Sequence, residues 1–180
     1  IEEINIIHEG GNYGWFDREG FYDNGVDIPG GSMLVVYPLP LDILDGRTED
    51  GYLYPGALYD HDEGWAGAPG VVYRGSVPAL AGKFVFGDIQ NGRLFVADVA
   101  ELKAADDGIP GTVAAIEEVQ LFVRDAAGVA RDVTLWDLVE ETMGTTVTRA
   151  DLILSETLDG ELLVTSRQDG TMRTLIGGAE

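Results

Sequence analysis

The chain has 180 residues, 45% of them apolar, which is enough to bury a core, and its 11 Lys and Arg against 32 Asp and Glu give a formal net charge of −21. That balance excludes a nucleic-acid or anionic-membrane partner, since both need clustered cations for counterion release, whereas Lys83 and Lys103 are the sole lysines and the arginines are scattered singly. The absence of cysteine excludes a disulfide framework, a thiolate metal site and a cysteine nucleophile, and no uninterrupted apolar run reaches membrane-spanning length, so no membrane insertion is expected.

The opening Ile1-Glu2-Glu3-Ile4-Asn5 lacks the basic and apolar pattern of a signal sequence and looks like the middle of a strand, so the natural protein is expected to continue upstream. Glu3 to Ile7 alternates polar and apolar residues and breaks at Gly10-Gly11, which predicts a strand entering a turn. Asn12 to Gly70 is rich in Gly, Pro, Asp and Tyr, with short apolar patches at Met33 to Tyr37 and Ala57 to Tyr59. It reads as a long loop, either functional or a decorated connection between sheets. From Val71 the rhythm is regular: Val71 to Tyr73, Lys83 to Asp88, the turn Gln90-Asn91-Gly92, then Arg93 to Val96, a meander of short antiparallel strands. Helices are predicted at Ala97 to Ala105 and at Val133 to Met143, where Leu135, Leu138 and Val139 fall at helical spacing. Three more strands follow, Asp151 to Leu154, Glu161 to Thr165 and Thr171 to Leu175, separated by the hairpin dipeptides Asp159-Gly160 and Asp169-Gly170.

The fold class expected from this order is all-β with one or two short helices, a single domain over residues 1–180 whose blade-like meanders occupy 71–100 and 147–177. Meanders of this size suggest a β-propeller rather than a sandwich, because each blade needs neighbours to bury its faces. Two or three blades do not close a ring, so the expected partner is either a missing N-terminal half or further copies of the chain.

Glu3-Ile4-Asn5-Ile6-Ile7, followed by Gly10-Gly11-Asn12-Tyr13-Gly14-Trp15, resembles the glucose/sorbosone dehydrogenase family, soluble quinoproteins built as six-bladed propellers. Val72-Tyr73-Arg74-Gly75, Phe86-Gly87-Asp88 with Gly92-Arg93-Leu94, and Asp151-Leu152 ahead of Asp159-Gly160-Glu161-Leu162 extend the resemblance in order along nearly the whole chain. It implies that this is the C-terminal part of such a propeller, from an exported, extracytoplasmic protein. It further implies sugar oxidation with pyrroloquinoline quinone (PQQ), a polyanion held by cations and a calcium ion. The family's general base and the calcium that touches the quinone lie upstream of the matched strand, so no catalytic residue is assigned within this chain. Gln90 stands where active members place a lysine on the cofactor, and Thr148 and Ala150 stand where they place two arginines ahead of the residue matched by Asp151. Arg149, between them, is expected on a strand with its side chain on the opposite face. Losing three cations from a polyanion pocket costs several kcal/mol, at about 1.5–3 for each charge-assisted contact, which argues against PQQ binding of the usual kind.

A second calcium site implied by the resemblance maps onto Glu3, Tyr13, Glu19, Phe21 and Asp23, with Tyr13, Glu19 and Phe21 contributing carbonyls; such a mixture of carboxylates and loop carbonyls suits calcium. The competing reading makes Glu3 and Asp23 solvated acids and Tyr13 a packed turn residue, in keeping with a heavily hydrated acidic surface. Tyr59, His61 and Trp65, in a run that also holds Asp60, Asp62 and Glu63, combine a histidine, carboxylates and an aromatic platform suited to a small sugar, or simply structure a surface turn. His8 and His61 are the two histidines, and no Gly-x-Ser-x-Gly elbow surrounds a serine, which argues against hydrolysis. Asp23-Asn24-Gly25 and Asp106-Asp107-Gly108 lack the later ligands of an EF-hand and read as turns, and Trp15 and Trp136 as packing residues. The function expected is a calcium-stabilised binding or scaffold segment of a sugar-dehydrogenase-like propeller. The alternative is part of a PQQ-dependent aldose dehydrogenase whose base lies in a missing N-terminal half.

Overall fold

Antiparallel pairing organises the chain in the computed structural model, which describes residues 1–15, 18–23 and 51–177, with backbone only for Tyr22 and Asp23. The apolar patch at Met33 to Tyr37 and the Asn24-Gly25 part of the expected turn lie outside the described residues. The chain falls into two compact units, 1–63 with 100–115, and 64–99 with 116–180.

In the first unit, β1 (Glu2–Ile4) pairs antiparallel with β4 (Ala57–Tyr59), and β2 (Arg18–Glu19) pairs with β3 (Tyr22–Asp23). The tight β2–β3 connection places Gly20 at φ +65, a left-handed conformation that costs glycine little. β1 is shorter than the alternating pattern predicts, because the chain leaves the sheet after Ile4 to form the loop that runs to Gly14. That loop is tied down by Tyr13, whose hydroxyl donates to the Ile6 carbonyl at 2.9 Å and accepts the His8 amide at 2.6 Å. The first helix, α1 (Val99–Ala105), starts two residues later than expected and buries Leu102 and Ala105.

The second unit holds both predicted meanders. β5 (Gly67–Val72), β6 (Lys83–Asp88), β7 (Leu94–Asp98) and β8 (Glu117–Glu118) form a four-stranded antiparallel sheet in sequence order. β5 is irregular between Ala68 and Val71, where Pro69 has no amide for the ladder and Gly70 has no side chain. β11 (Leu152–Glu156), β12 (Leu162–Ser166) and β13 (Met172–Thr174) form a three-stranded antiparallel sheet, again in sequence order. Along β12 the residues alternate, with Leu162, Val164 and Ser166 buried and Leu163 and Thr165 partly exposed, as period-two geometry requires. The core joins Val85, Leu94 and Val96 of the larger sheet to Leu152, Leu154, Leu162 and Val164 of the smaller one.

Helix α2 (Leu135–Met143) closes this core with Leu135 and Val139. Its start is a capping box, Thr134 and Asp137 exchanging side-chain and backbone bonds, and its end is Gly144 at φ +66. The sequence reading missed the hairpin of β9 (Leu121–Arg124) and β10 (Ala130–Val133). The reason is local: the turn Asp125-Ala126-Ala127-Gly128 is no two-residue hairpin dipeptide, and exposed Ala130, Arg131 and Asp132 give no alternation. A further correction concerns Trp15, which is 66% exposed rather than buried; Trp136 does pack on the core. The observed class is thus β-rich and antiparallel, with two α-helices among the described residues, and none of these is long and apolar enough to cross a membrane.

Candidate binding site

Asp88, at the end of β6, is fully buried, yet it is an ionisable group at the edge of a loop, and its carboxylate explains how the loops around it are held. One oxygen accepts the amides of Trp65 (2.5 Å) and Ala66 (2.6 Å), and the other accepts those of Gln90 (2.9 Å) and Asn91 (2.8 Å). Four N–H donors compensate the desolvation of a buried carboxylate, which would otherwise be prohibitive. The consequence is that the 64–66 and 89–92 loops share one anchor, and the indole of Trp65 is left 63% exposed beside it.

The second meander is stitched to the same place. The amide of Ala150 donates to the Gln90 carbonyl at 2.6 Å and that of Leu152 to the Ile89 carbonyl at 3.0 Å. Gly92, at φ +74, makes this close approach feasible: a Cβ there would lie 2.7 Å from the Ala150 methyl. Asp151 sits at φ +52, the left-handed region that non-glycine residues seldom occupy and that marks constrained, often functional, positions. Its carboxylate is held by the Arg149 guanidinium and by Gln168 Nε2, the latter at 2.5 Å, and its carbonyl accepts the Arg167 amide at 3.1 Å. One end of the second unit therefore links, through Asp88 and the Gln90 carbonyl, the Trp65 loop to the segment that carries Arg149, Asp151 and Gln168.

Of the three positions assigned to PQQ, Gln90 and Ala150 are thus in direct backbone contact, whereas Thr148 is an exposed loop residue. The Ala150 methyl faces the core at 0% exposure rather than a pocket. Arg149 is not on a strand, since β11 begins at Leu152, so the expected alternation does not apply; its charge is met by Asp151. A polyanionic quinone would find here one arginine already neutralised, and these residues do not fit it.

The expected calcium set lies in the first unit, and the structure draws its members near one another. The Glu3 carboxylate accepts the Gly20 amide on one oxygen and Asn5 Nδ2 (2.9 Å) on the other. Gly14, next to Tyr13, accepts the Arg18 amide at 2.8 Å. Among them sits a residue that sequence reasoning passed over. Arg18 is 8% exposed, donates to the Phe21 carbonyl at 3.4 Å, and holds its guanidinium carbon 5.6 Å from the centre of the Tyr52 ring. A divalent ion about 5 Å from that charge would be repelled by about 7 kcal/mol at an effective dielectric of about 20. Among the described residues no three His, Asp or Glu side chains are grouped to hold a metal.

Tyr59 is a buried residue of β4, 5% exposed, so its ring is not offered to a ligand; His61 is half exposed with Nε2 3.6 Å from Glu2 Oε1. Both belong to the first unit and Trp65 to the second. Burial and the neighbouring Asp60 carboxylate raise the pKa of Glu63. The other histidine, His8, places Nε2 2.8 Å from Asp106 Oδ2 on the wall of a cavity of about 410 Å³. Among the described residues that line the cavity there is no serine, threonine or lysine. No family model matches the chain, and no solved structure matches it.

Proposed function

We propose that the chain is a blade-forming segment of a propeller of the sugar-dehydrogenase type and that it serves as a binding module for a small polyhydroxylated ligand, without quinone chemistry of its own. The single observation that carries the reading is the stitching of Ala150 to Gln90 and Leu152 to Ile89, which draws the loops of two consecutive meanders to one end. Such an end presents an exposed indole for stacking and, in the linked Arg149, Asp151 and Gln168 side chains, a polar cluster whose remaining donor and acceptor positions suit neighbouring hydroxyls. The missing partner in this reading is the N-terminal half of the propeller, which would supply the remaining blades, and the setting is extracytoplasmic.

The test is calorimetric titration of the full chain with a panel of aldoses, beside dye reduction with added PQQ, calcium and the same sugars. Saturable binding of at least one aldose, weakened tenfold or more in Trp65→Ala and in Asp151→Asn, with no dye reduction, is the expected result. Absence of binding across the panel would sink the binding-module reading. Quinone-dependent turnover in a version of the chain extended upstream would establish the alternative, a PQQ-dependent dehydrogenase whose base lies in the N-terminal half.

A further inference from the structure

We infer that Arg18 is the resident cation among residues 13–15 and 18–23 and holds these segments together in place of a metal ion. Arg18 touches or adjoins four of the five positions at which calcium was expected. Its amide is bonded to the carbonyl of Gly14, beside Tyr13. Glu19 follows it in the chain. Its guanidinium donates to the Phe21 carbonyl, and it stands opposite Asp23 in the β2–β3 register. The fifth, Glu3, spends its carboxylate on the Gly20 amide and on Asn5.

The local packing is shaped around this side chain. Gly14 is buried at φ +90, and a Cβ there would meet the Arg18 Cβ at 2.8 Å and its Cδ at 3.5 Å, so the turn is built to let the arginine stem pass. The Tyr52 ring covers the guanidinium, a contact open to a planar delocalised cation and of no use to a hard metal ion. A divalent ion beside the Arg18 guanidinium would meet a like charge, so calcium and Arg18 exclude each other.

The experiment is thermal unfolding of the full-length chain, its Arg18→Gln and Arg18→Lys variants, each in EDTA and in a calcium series to 5 mM. At constant ionic strength the expected wild-type midpoint is the same in EDTA and in calcium. Arg18→Gln unfolds several degrees lower in EDTA and recovers part of the loss as calcium is added, because its acceptors then face no internal cation. Arg18→Lys keeps the charge but loses the planar fork, and falls between the two with no calcium response. A saturable rise of the wild-type midpoint with calcium, abolished in Glu3→Gln, would overturn the inference, as would an Arg18→Gln variant as stable as wild type. Should Arg18→Gln fail to fold, isothermal titration of wild type with calcium decides by itself: heat of binding refutes the assignment, and its absence together with the intermediate stability of Arg18→Lys supports it.

Discussion

Two residues show how much of this fold hangs on single polar groups. Tyr73 is 2% exposed; its hydroxyl donates to Glu161 at 2.6 Å and accepts the Val77 amide at 2.9 Å. Removing it in Tyr73→Phe leaves a buried amide without its acceptor, and a loss of about 1–3 kcal/mol is expected in urea unfolding. The pH dependence has a definite sign. Hydrogen bonds from Ser76 and Tyr73 hold the Glu161 carboxyl below the usual glutamate range, so its folded-state pKa is lower than its unfolded one. The stability it contributes is therefore complete above the unfolded value and declines from about pH 4.3 downward as the folded group takes up its proton. Glu161→Gln should be less stable than wild type at pH 7, and the gap should narrow as the pH is lowered toward 3; a gap that stays constant would show that charge plays no part. Burial and the same hydrogen bond raise the pKa of Tyr73, so its phenol stays protonated throughout this range.

At the level of elements, the joint between the two meanders is the sensitive place. Gly92→Ala would put a methyl 2.7 Å from Ala150 and 3.1 Å from the Leu135 Cβ, at a backbone angle that disfavours any side chain. A destabilisation of about 2 kcal/mol or more follows from strain and overpacking together, measurable as a lower denaturation midpoint. Thr134→Ala, which opens the capping box of α2, is expected to cost about 1 kcal/mol. What was legible in the sequence follows the same division. Strands bounded by Asn91-Gly92, Asp159-Gly160 and Asp169-Gly170 were readable within a residue or two, because turn chemistry fixes their ends. The β9–β10 hairpin carried no such marker. The stitching of Ala150 to Gln90 depends on hydrogen bonds between residues 60 apart in sequence, which no local pattern encodes. The resemblance pointed to Gln90, Thr148 and Ala150, whereas the groups that gather at that loop end include Arg149, Asp151 and Gln168. Arg18 went unnoticed because a lone arginine in a loop reads as solvated; its burial follows from Gly14 and Tyr52, which pack on it from outside its own strand.

Charge is the property of the molecule as a whole that makes the broadest prediction. A net charge of −21 on 180 residues lowers the stability of the compact state through self-repulsion, and among the described side chains every Asp and Glu other than Asp88 and Asp169 is at least partly exposed, where salt screens it. Local ion pairs such as Arg93 with Glu118 at 2.7 Å and Arg74 with Glu156 at 2.5 Å act in the opposite sense, since salt weakens them. The balance is decided by number: 11 cations can neutralise only 11 of 32 acids, so at least 21 carboxylates repel without a partner of their own. Raising sodium chloride from about 0.02 to 0.3 M, which shortens the Debye length from roughly 20 to 6 Å, is therefore expected to stabilise the chain. If the net gain is about 1–2 kcal/mol, the thermal midpoint rises by roughly 2–8 °C for a domain of this size. Screening levels off once the Debye length falls below the spacing between charges, so the rise should flatten above a few tenths molar. A midpoint that climbs in proportion to salt up to molar concentrations would point to exclusion of salt from apolar surface instead. A midpoint that falls would mean that the ion pairs outweigh the excess negative charge.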